Sequence, residues 1–425
     1  MITTKFCFAG VALITLLAAS TAACAAQQVV PAGTVVDKTN MEKYSQYLSP
    51  GVSWIVERGV KLPISEYKAV DFPPPFKAAT EKYSGQVTLS PDGQTKLNHV
   101  AGLPFPKIDA NDPQAGTKHM FNFDAAIAVD DLDLRNFDCD TGSVGHGEPL
   151  RVERHFLIDH IRRLYWVERL EVDPKPTNPD NPDGVRYKEA LYPIREPFDL
   201  TGTGFTFNRY LDHTRQDDSW LYLPQLRRVR RLSSAQRSDA LFGQDTDQDS
   251  YAGYAGNVAW MTWKFLGEKT VLASFHSEHL PVKWGEGGAN FMHDDQWEPR
   301  EVWVVEGKSK LPQYAYGKRM IFLDKESYRI PYTDIYDQAG QLWKVWVNNF
   351  KYAKSPFPGA KYGFDWEVSY NPSITMVDMQ LEHATACSLP SSRFESEQGW
   401  YINLGDKEGT TAEYFTLSAI IGGAR

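Results

Sequence analysis

Residues 198–232, FDLTGTGFTFNRYLDHTRQDDSWLYLPQLRRVRRL, decide the fold class of this chain. In the first half, the apolar Phe205 and Phe207 alternate with polar residues, which is the period-two pattern of a half-buried β-strand. An acidic polar loop follows. A second, aromatic strand then ends at Pro224, because proline has no N–H to donate to a sheet. Four arginines lie within residues 227–231. The stretch therefore predicts a sheet with an aromatic face and a basic, solvated rim.

This stretch, together with the Gly/Asp/Ser loop after it, resembles periplasmic lipid-carrier proteins of the LolA/LolB-like (lipoprotein-localisation) superfamily. A second stretch, YDQAGQLWKVWV at residues 336–347, is similar to the same proteins. The resemblance covers most of the mature chain and includes the bacterial family DUF1329, whose members are often labelled outer-membrane lipoprotein-sorting proteins. It implies a mainly β (β-rich α+β) fold: a strongly curved antiparallel sheet or incomplete barrel with short helices and a wrapping N-terminal arm.

Composition narrows the class of protein. The chain has 425 residues, a formal net charge of −9 and 13% aromatic residues. Its length allows a large core and two or three domains. An acidic chain is a poor candidate for nucleic-acid binding, whereas many aromatic residues favour sheets and broad apolar surfaces.

The N-terminus predicts export. Lys5 precedes an apolar run, 8–19, of signal-peptide length, and small residues around Cys24 fit a cleavage site. We therefore expect residues 1–25 to be a signal peptide and the mature protein to be periplasmic. The alternative is an outer-membrane lipoprotein lipidated at Cys24. It is less favoured because Thr21 stands where a lipidation motif normally has leucine. No later apolar run reaches the ~20 residues of a membrane-spanning helix.

Two cysteines, Cys139 and Cys387, lie in the mature body. An even pair in an oxidising compartment predicts a disulfide between them. The alternative is two reduced thiols. Neither neighbourhood supplies the basic partners of a reactive thiolate, and two cysteines cannot build a structural zinc site by themselves.

We expect three segments: the signal peptide, a helical and proline-rich wrapping arm at 26–115, and a curved β-sheet domain at 116–425. In the arm, Thr39 and Glu42 predict a capping box before a short helix. Ser49 and Pro50 predict the start of a second helix. The prolines of 61–76 predict extended chain.

The sheet domain contains one very long predicted strand, 151–172, for which a helix is the competing interpretation. Strands at 259–265 and 270–275 are predicted to be joined by a turn at Gly267. Short turns then connect a regular antiparallel meander through Phe350.

Residues 342–347 carry large apolar groups on both faces of a predicted strand. Such a strand must be covered on both sides. We expect a helix on one side and a bound hydrophobic ligand on the other. The hypothesised concave binding face consists of aromatic residues: Phe205, Phe207, Trp220, Tyr222, Trp260, Trp263, Trp303, Phe322, Trp343 and Trp346.

No catalytic motif stands out: G-x-S-x-G, P-loop and G-x-G-x-x-G patterns are absent from the sequence. His276, His279 and His293 could supply metal ligands, although H-x-x-H on a strand or loop does not place both rings together. Residues 245–249 mimic the start of a calcium loop but fail at its sixth and twelfth positions, so a solvated acidic loop is expected.

The sequence thus predicts a non-enzymatic envelope protein without a cofactor. It would bind a lipid or other hydrophobic molecule, as a carrier or export accessory. An envelope transporter or outer-membrane protein is the expected protein partner. Two alternatives remain: a metal-dependent envelope hydrolase using the His276/His279/His293 region, and a structural outer-membrane accessory protein that binds by its sheet edge.

Overall fold

The computed structural model describes residues 30–181, 183–233, 236–394 and 398–423. The predicted signal peptide and Cys24 lie outside the described residues. The helices are α1 (Pro50–Glu57), α2 (Pro74–Tyr83), α3 (Ala115–Ala126) and α4 (Leu417–Gly423). The strands are β1 (Val35–Val36), β2 (Leu62–Pro63), β3 (Thr88–Leu89), β4 (Lys96–Leu97), β5 (Asp131–Ser143), β6 (Arg151–Tyr165), β7 (Val185–Leu191), β8 (Ile194–Glu196), β9 (Gly204–Tyr210), β10 (Asp218–Leu223), β11 (Arg228–Arg231), β12 (Met261–Ala273), β13 (Glu298–Ser309), β14 (Lys318–Asp324), β15 (Tyr332–Tyr336), β16 (Leu342–Ala353), β17 (Val368–Asp378), β18 (His383–Ser388) and β19 (Trp400–Ile402).

Fifteen strands form one antiparallel sheet. Its order is β11-β10-β9-β7-β6-β5-β18-β17-β16-β15-β14-β13-β12, with β8 beside β6 and β19 beside β5. Two meanders therefore meet at the β5–β18 pair. Register shifts in β5, β12 and β16 bend these long strands. The result is the predicted strongly curved sheet that does not close into a barrel, so the fold class is confirmed.

One face of the C-terminal meander is covered by α1. Ser49 caps this helix, its Oγ accepting the N–H of Val52 at 3.2 Å. Val52 belongs to the same buried apolar cluster as Val345 and Val347 of β16. The approach is close enough to need glycine at position 51, where a Cβ would lie 2.6 Å from Val345 Cγ2. The predicted helical cover of this strand is therefore confirmed.

The opposite face carries Trp346 and a second buried cluster, to which α3 contributes Met120 and Phe123. Residues 236–257, called the crossing segment below, also lie against this face. In the part of the chain that the structure describes, no helix is both long and apolar enough to cross a membrane.

Several local predictions were wrong. The predicted short helix is present as a 3₁₀ helix, Met41–Tyr47, but the predicted capping box is not, because the Thr39 hydroxyl instead donates to Asp37 Oδ1 at 2.6 Å. Extended chain was expected through residue 76, but α2 begins at Pro74. Prolines fit a first helical turn, whose N–H groups need no helical partner. Helix α3 was not predicted.

Two strand predictions also need correction. The predicted strand 151–172 ends at Tyr165, although the helical alternative for it is excluded. The expected strands on either side of Gly267 are one strand, β12. Gly267 has φ +119° and lies at a bulge, where an unpaired residue bends a strand without ending it. The division into arm and sheet domain stays a prediction.

Candidate functional site

A cavity of about 490 Å³ lies between the sheet and the crossing segment. This volume is in the range of pockets that hold small molecules. Strands β5, β6, β7, β9, β10, β16 and β17 form one wall, and the crossing segment forms the other. The wall from the sheet is mostly aliphatic and aromatic: Leu132, Leu134, Phe137, Ile161, Leu191, Phe205, Phe207, Leu221, Trp346 and Ile374.

Strand register decides which side chains of the opening stretch reach this cavity. Phe205 of β9 is paired with Leu221 of β10, so both lie on the cavity face. Trp220 and Tyr222 lie on the opposite face because successive side chains of a strand alternate. Tyr222 is buried there with Tyr192.

The structure brings three of the ten hypothesised residues, Phe205, Phe207 and Trp346, into the cavity wall. Trp346 also contacts the crossing segment, with its ring 5.3 Å from that of Tyr251. The indole N–H of Trp346 donates to Asn348 Oδ1 at 2.9 Å, which satisfies its polar atom.

The other seven hypothesised residues do not line the cavity. Trp260 stacks under the buried guanidinium of Arg237, at 4.4 Å. Four more fill other parts of the molecule, each with an aromatic neighbour: Trp263 with Tyr254, Trp303 with Tyr328, Trp343 with Tyr316, and Phe322 with Tyr332. Trp220 and Tyr222 lie on the outer face, as described.

Sequence reasoning missed the aliphatic residues of β5, β6 and β7. Leu132 and Leu134 alternate along β5, and Ile161 and Leu191 are direct partners in β6 and β7. The period-two spacing of Leu132 and Leu134 was visible in the sequence. The binding-face hypothesis consisted of aromatic residues only, whereas the cavity wall is also aliphatic.

The expectation of a solvated acidic loop at 245–249 was wrong. Asp245, Asp247 and Asp249 are all buried. Asp245 accepts hydrogen bonds from His383 Nδ1 at 2.8 Å and from the Thr385 hydroxyl at 2.9 Å. These carboxylates are bound to basic and hydroxyl groups of the sheet, so the loop is an anchor that attaches the crossing segment to the sheet.

Two arginines complete this anchor. Arg237 bonds Asp249 in the crossing segment and Asp217 before β10, the second at 2.8 Å. Asp217 is also held by Arg209 of β9 at 2.7 Å. Buried ion pairs are stable only when each charge has such partners, so the network fixes the crossing segment against the sheet.

The three histidines considered as metal ligands have separate environments. His276 Nδ1 lies 2.7 Å from Glu298, and His279 Nδ1 lies 3.1 Å from Asp295. His293 is buried and stacked on Trp297, and burial lowers its pKa to about 4. Within the described ranges, no group of three or more His, Cys, Asp or Glu side chains is placed to hold a metal ion.

The fold and cavity define a class: a curved antiparallel half-barrel with an apolar internal cavity of small-molecule size. The chain belongs to the DUF1329 family, described as proteins of unknown function, whose family model matches residues 35–420. The predicted family is confirmed.

An uncharacterised protein of Pseudomonas aeruginosa is 26% identical over 181 residues, which is 40% of this chain and 40% of the relative. The aligned region thus spans less than half of that relative's length.

Several solved structures are similar to this chain. A "putative outer membrane lipoprotein-sorting protein domain" from Vibrio parahaemolyticus has 18% identity and a TM-score of 0.48, covering 73% of this chain and all of its own. A DUF1329 family protein from Desulfovibrio piger has 14% identity and a TM-score of 0.46, covering 72% of this chain and 98% of its own. A LolA superfamily protein from Nitrosomonas europaea has 15% identity and a TM-score of 0.37, covering 65% of this chain and 90% of its own.

Proposed function

We propose that this protein binds a lipid or another hydrophobic molecule in the cavity between the sheet and the crossing segment, and acts in the cell envelope as a carrier or export accessory. The observation that carries the proposal is the cavity of about 490 Å³ that Trp346 helps to line. A strand that is apolar on both faces has α1 on one side and this space on the other.

The energetics favour such a ligand. Each buried methylene contributes roughly 0.8 kcal/mol, so a chain of about a dozen gains on the order of 10 kcal/mol before the cost of immobilisation. Leu132, Leu134, Ile161 and Leu191 offer an aliphatic wall that needs no directional contact. Binding by shape and apolar area suits a carrier, which must also release its ligand.

The buried Cys139–Cys387 disulfide supports a location in an oxidising compartment. This compartment matches the envelope role implied by the resemblance of the sequence to periplasmic lipid carriers. An envelope transporter or outer-membrane protein would be the partner that supplies or receives the ligand.

The test is native mass spectrometry of the purified protein, together with mass spectrometry of organic extracts. Leu221→Trp places a larger ring in the cavity wall, whereas Leu226→Trp makes the same substitution at a half-exposed position outside it. Wild type and Leu226→Trp should release a co-purifying hydrophobic molecule at a stoichiometry near one. Leu221→Trp should release several-fold less.

Binding of a fluorescent probe to the delipidated protein provides a second measurement. Protein delipidated under denaturing conditions and refolded should enhance the fluorescence of the uncharged probe N-phenyl-1-naphthylamine, and Leu221→Trp should bind this probe at least several-fold more weakly. If all three proteins bind neither extractable lipid nor the probe, the proposal fails. If all three bind equally, the ligand lies elsewhere and the cavity assignment fails.

A further inference from the structure

The charged side chains that line the cavity differ in whether they have a counter-ion. Arg163 is paired with Glu189, with Nε 2.6 Å from Oε2. Arg237 is bound to two aspartates in the buried network described above. Asp239 is exposed to solvent at the rim. These charges are either neutralised or hydrated, so none of them calls for a charged ligand.

Arg329 differs from these residues. It lies between β14 and β15, is half-buried, and lines the cavity. Its guanidinium forms neither an ion pair nor a hydrogen bond with any residue of the described part of the chain. An arginine is always charged and presents a planar fork of N–H donors that fits carboxylate and phosphate oxygens. A half-buried guanidinium beside an apolar space therefore lacks the anion that it is built to bind.

The backbone that carries Arg329 is held in place on both sides. The Asp324 N–H donates to the Arg329 carbonyl at 2.9 Å, and the Arg329 N–H donates to the Ser327 hydroxyl at 3.3 Å. The turn before it is tied to α3, because Asn122 Nδ2 donates to the Tyr328 hydroxyl at 2.8 Å. The side chain of Arg329 therefore starts from a fixed point of the backbone at the cavity wall.

A second polar group without a partner lies beside the same space. The Ser369 hydroxyl of β17 is buried and has no hydrogen-bond partner among the described residues. Ser369 and Arg329 both line the main cavity and also a smaller cavity of about 80 Å³ that adjoins it. The two donors thus lie where the cavities meet. An unsatisfied buried hydroxyl costs roughly 1–3 kcal/mol, a cost that a ligand oxygen could remove.

The carboxylates of the smaller cavity do not take the place of that ligand. Asp130 accepts three backbone N–H groups, those of residues 170–172, at 2.6–2.7 Å. Glu171 accepts Asn403 Nδ2 at 2.8 Å. Asp71 bonds Lys77, and Glu367 is exposed. Each is already satisfied or hydrated, and none pairs with Arg329.

We infer that the ligand is an anionic amphiphile, whose carboxylate or phosphate head binds Arg329 and Ser369 while its alkyl chain lies along the aliphatic wall of β5 to β7. This inference rests on the proposed function and specifies its substrate class. The shared chemistry is an oxyanion on an alkyl chain, which a free fatty acid and a phosphate-bearing lipid both provide.

A matched series of probes tests it: dodecanoate, dodecyl phosphate, 1-dodecanol and dodecyltrimethylammonium, which share one alkyl chain and differ in the head. Each probe is titrated below its micellar concentration into delipidated full-length protein, by calorimetry or by displacement of N-phenyl-1-naphthylamine. A charge-assisted bidentate contact predicts that the two anions bind about 10- to 100-fold more tightly than the alcohol. The better of the two anions identifies which head the site prefers.

Variants test whether the tighter binding of the anions depends on Arg329 and Ser369. In Arg329→Gln, dodecanoate and dodecyl phosphate should weaken to the affinity of 1-dodecanol, whose own affinity should not change. Arg151→Gln is the matched control, because that side chain is 80% exposed and lies outside the cavity. Ser369→Ala should weaken the anions by several-fold. Thermal melting of each variant checks that it is folded.

The outcomes separate the two proposals. If 1-dodecanol binds as tightly as the anions to the wild-type protein, the head assignment is overturned while binding in the cavity stands. The same holds if dodecyltrimethylammonium binds best. This comparison needs only wild-type protein, so a variant that fails to fold does not remove the test. If no probe binds, the proposed function itself fails.

Discussion

Cys139 in β5 and Cys387 in β18 are direct cross-strand partners joined by a disulfide, with Cα atoms 4.0 Å apart although 248 residues separate them in the sequence. Strand β5 belongs to the N-terminal meander and β18 ends the C-terminal one. The predicted disulfide is therefore confirmed, and it lies at the seam where the two meanders form one continuous sheet.

Replacing both cysteines with alanine should lower the free energy of unfolding by about 4–5 kcal/mol, because the cross-link removes much of the loop-closure entropy of the unfolded chain. Urea denaturation followed by circular dichroism measures this change. The wild-type protein in reductant should lose a similar amount, and the double variant should not respond to reductant. Equal stability of the variant and the oxidised wild type would contradict the prediction.

Asp334 should make the protein less stable as the pH rises. This carboxyl of β15 is buried beneath the start of α1, where Ser49 donates to it at 2.9 Å, and burial raises its pKa to about 7. Between pH 4 and 7 the folded state keeps a proton that the unfolded chain has lost, so stability falls over this window as pH rises. Asp334→Asn should remove that slope and be more stable than wild type at pH 8 by a few kcal/mol.

The control for this prediction is Asp337→Asn, in the exposed turn after β15. Hydrogen bonding to Gln380 lowers the pKa of Asp337, and its side chain is solvated. This variant should keep the wild-type slope between pH 4 and 7. If Asp334→Asn also keeps that slope in urea titrations at a series of pH values, Asp334 is not the group responsible.

His293 should make the protein less stable as the pH falls into the acidic range. Burial lowers its pKa to about 4, so below about pH 6.5 the unfolded chain binds a proton that the folded state excludes, and stability is lost as pH falls. His293→Phe keeps the stacking on Trp297 and should reduce the acid loss between pH 6.5 and 4.5. His146→Phe, at a side chain that is 70% exposed, should not. Melting temperatures of the wild type and both variants between pH 6.5 and 4.5 test this prediction, and an equal acid loss in all three would contradict it.

Arg237→Met should destabilise the protein by about 3–5 kcal/mol, because it leaves Asp249 and Asp217 buried with fewer partners. Arg231→Met is the matched control on the sheet edge, where the side chain is 70% exposed and pairs with Asp218. Exposed pairs contribute about 1 kcal/mol or less. Urea denaturation gives both values, and limited proteolysis should cleave the crossing segment only in Arg237→Met. Similar losses in the two variants would show that the buried network has no special role.

Much of the sheet was predictable because local patterns report strands directly. The opening stretch has the predicted strands β9 and β10, and the four arginines of residues 227–231 are exposed on or beside the edge strand β11, as the predicted basic rim requires. Charged residues on an edge strand also oppose pairing with another sheet. The meander from β13 to β16 agrees with its short turns, which force neighbouring strands to pair antiparallel.

The candidate site was less predictable, because lining a cavity is not a property of residue type. Trp220 and Leu221 are neighbours in one strand, and only the leucine reaches the cavity. The acidic run at 245–249 looks solvated in isolation, since its partners Arg319 and His383 lie far along the chain. Arg329 carries no local signal at all, because what distinguishes it is the lack of a partner after folding.

The sequence by itself determined the strand pattern, the helix cap at Ser49, the even cysteine pair and the need to cover both faces of β16, because each depends on residues close together in the chain or on composition. Only the tertiary structure decided which face holds a cavity, which buried acids are neutralised and that Arg329 lines the cavity without a counter-ion among the described residues. These properties arise from contacts between residues tens to hundreds of positions apart. The pairing of strands that are distant in the sequence, such as β5 with β18, brings such residues together, and no short turn sets that pairing.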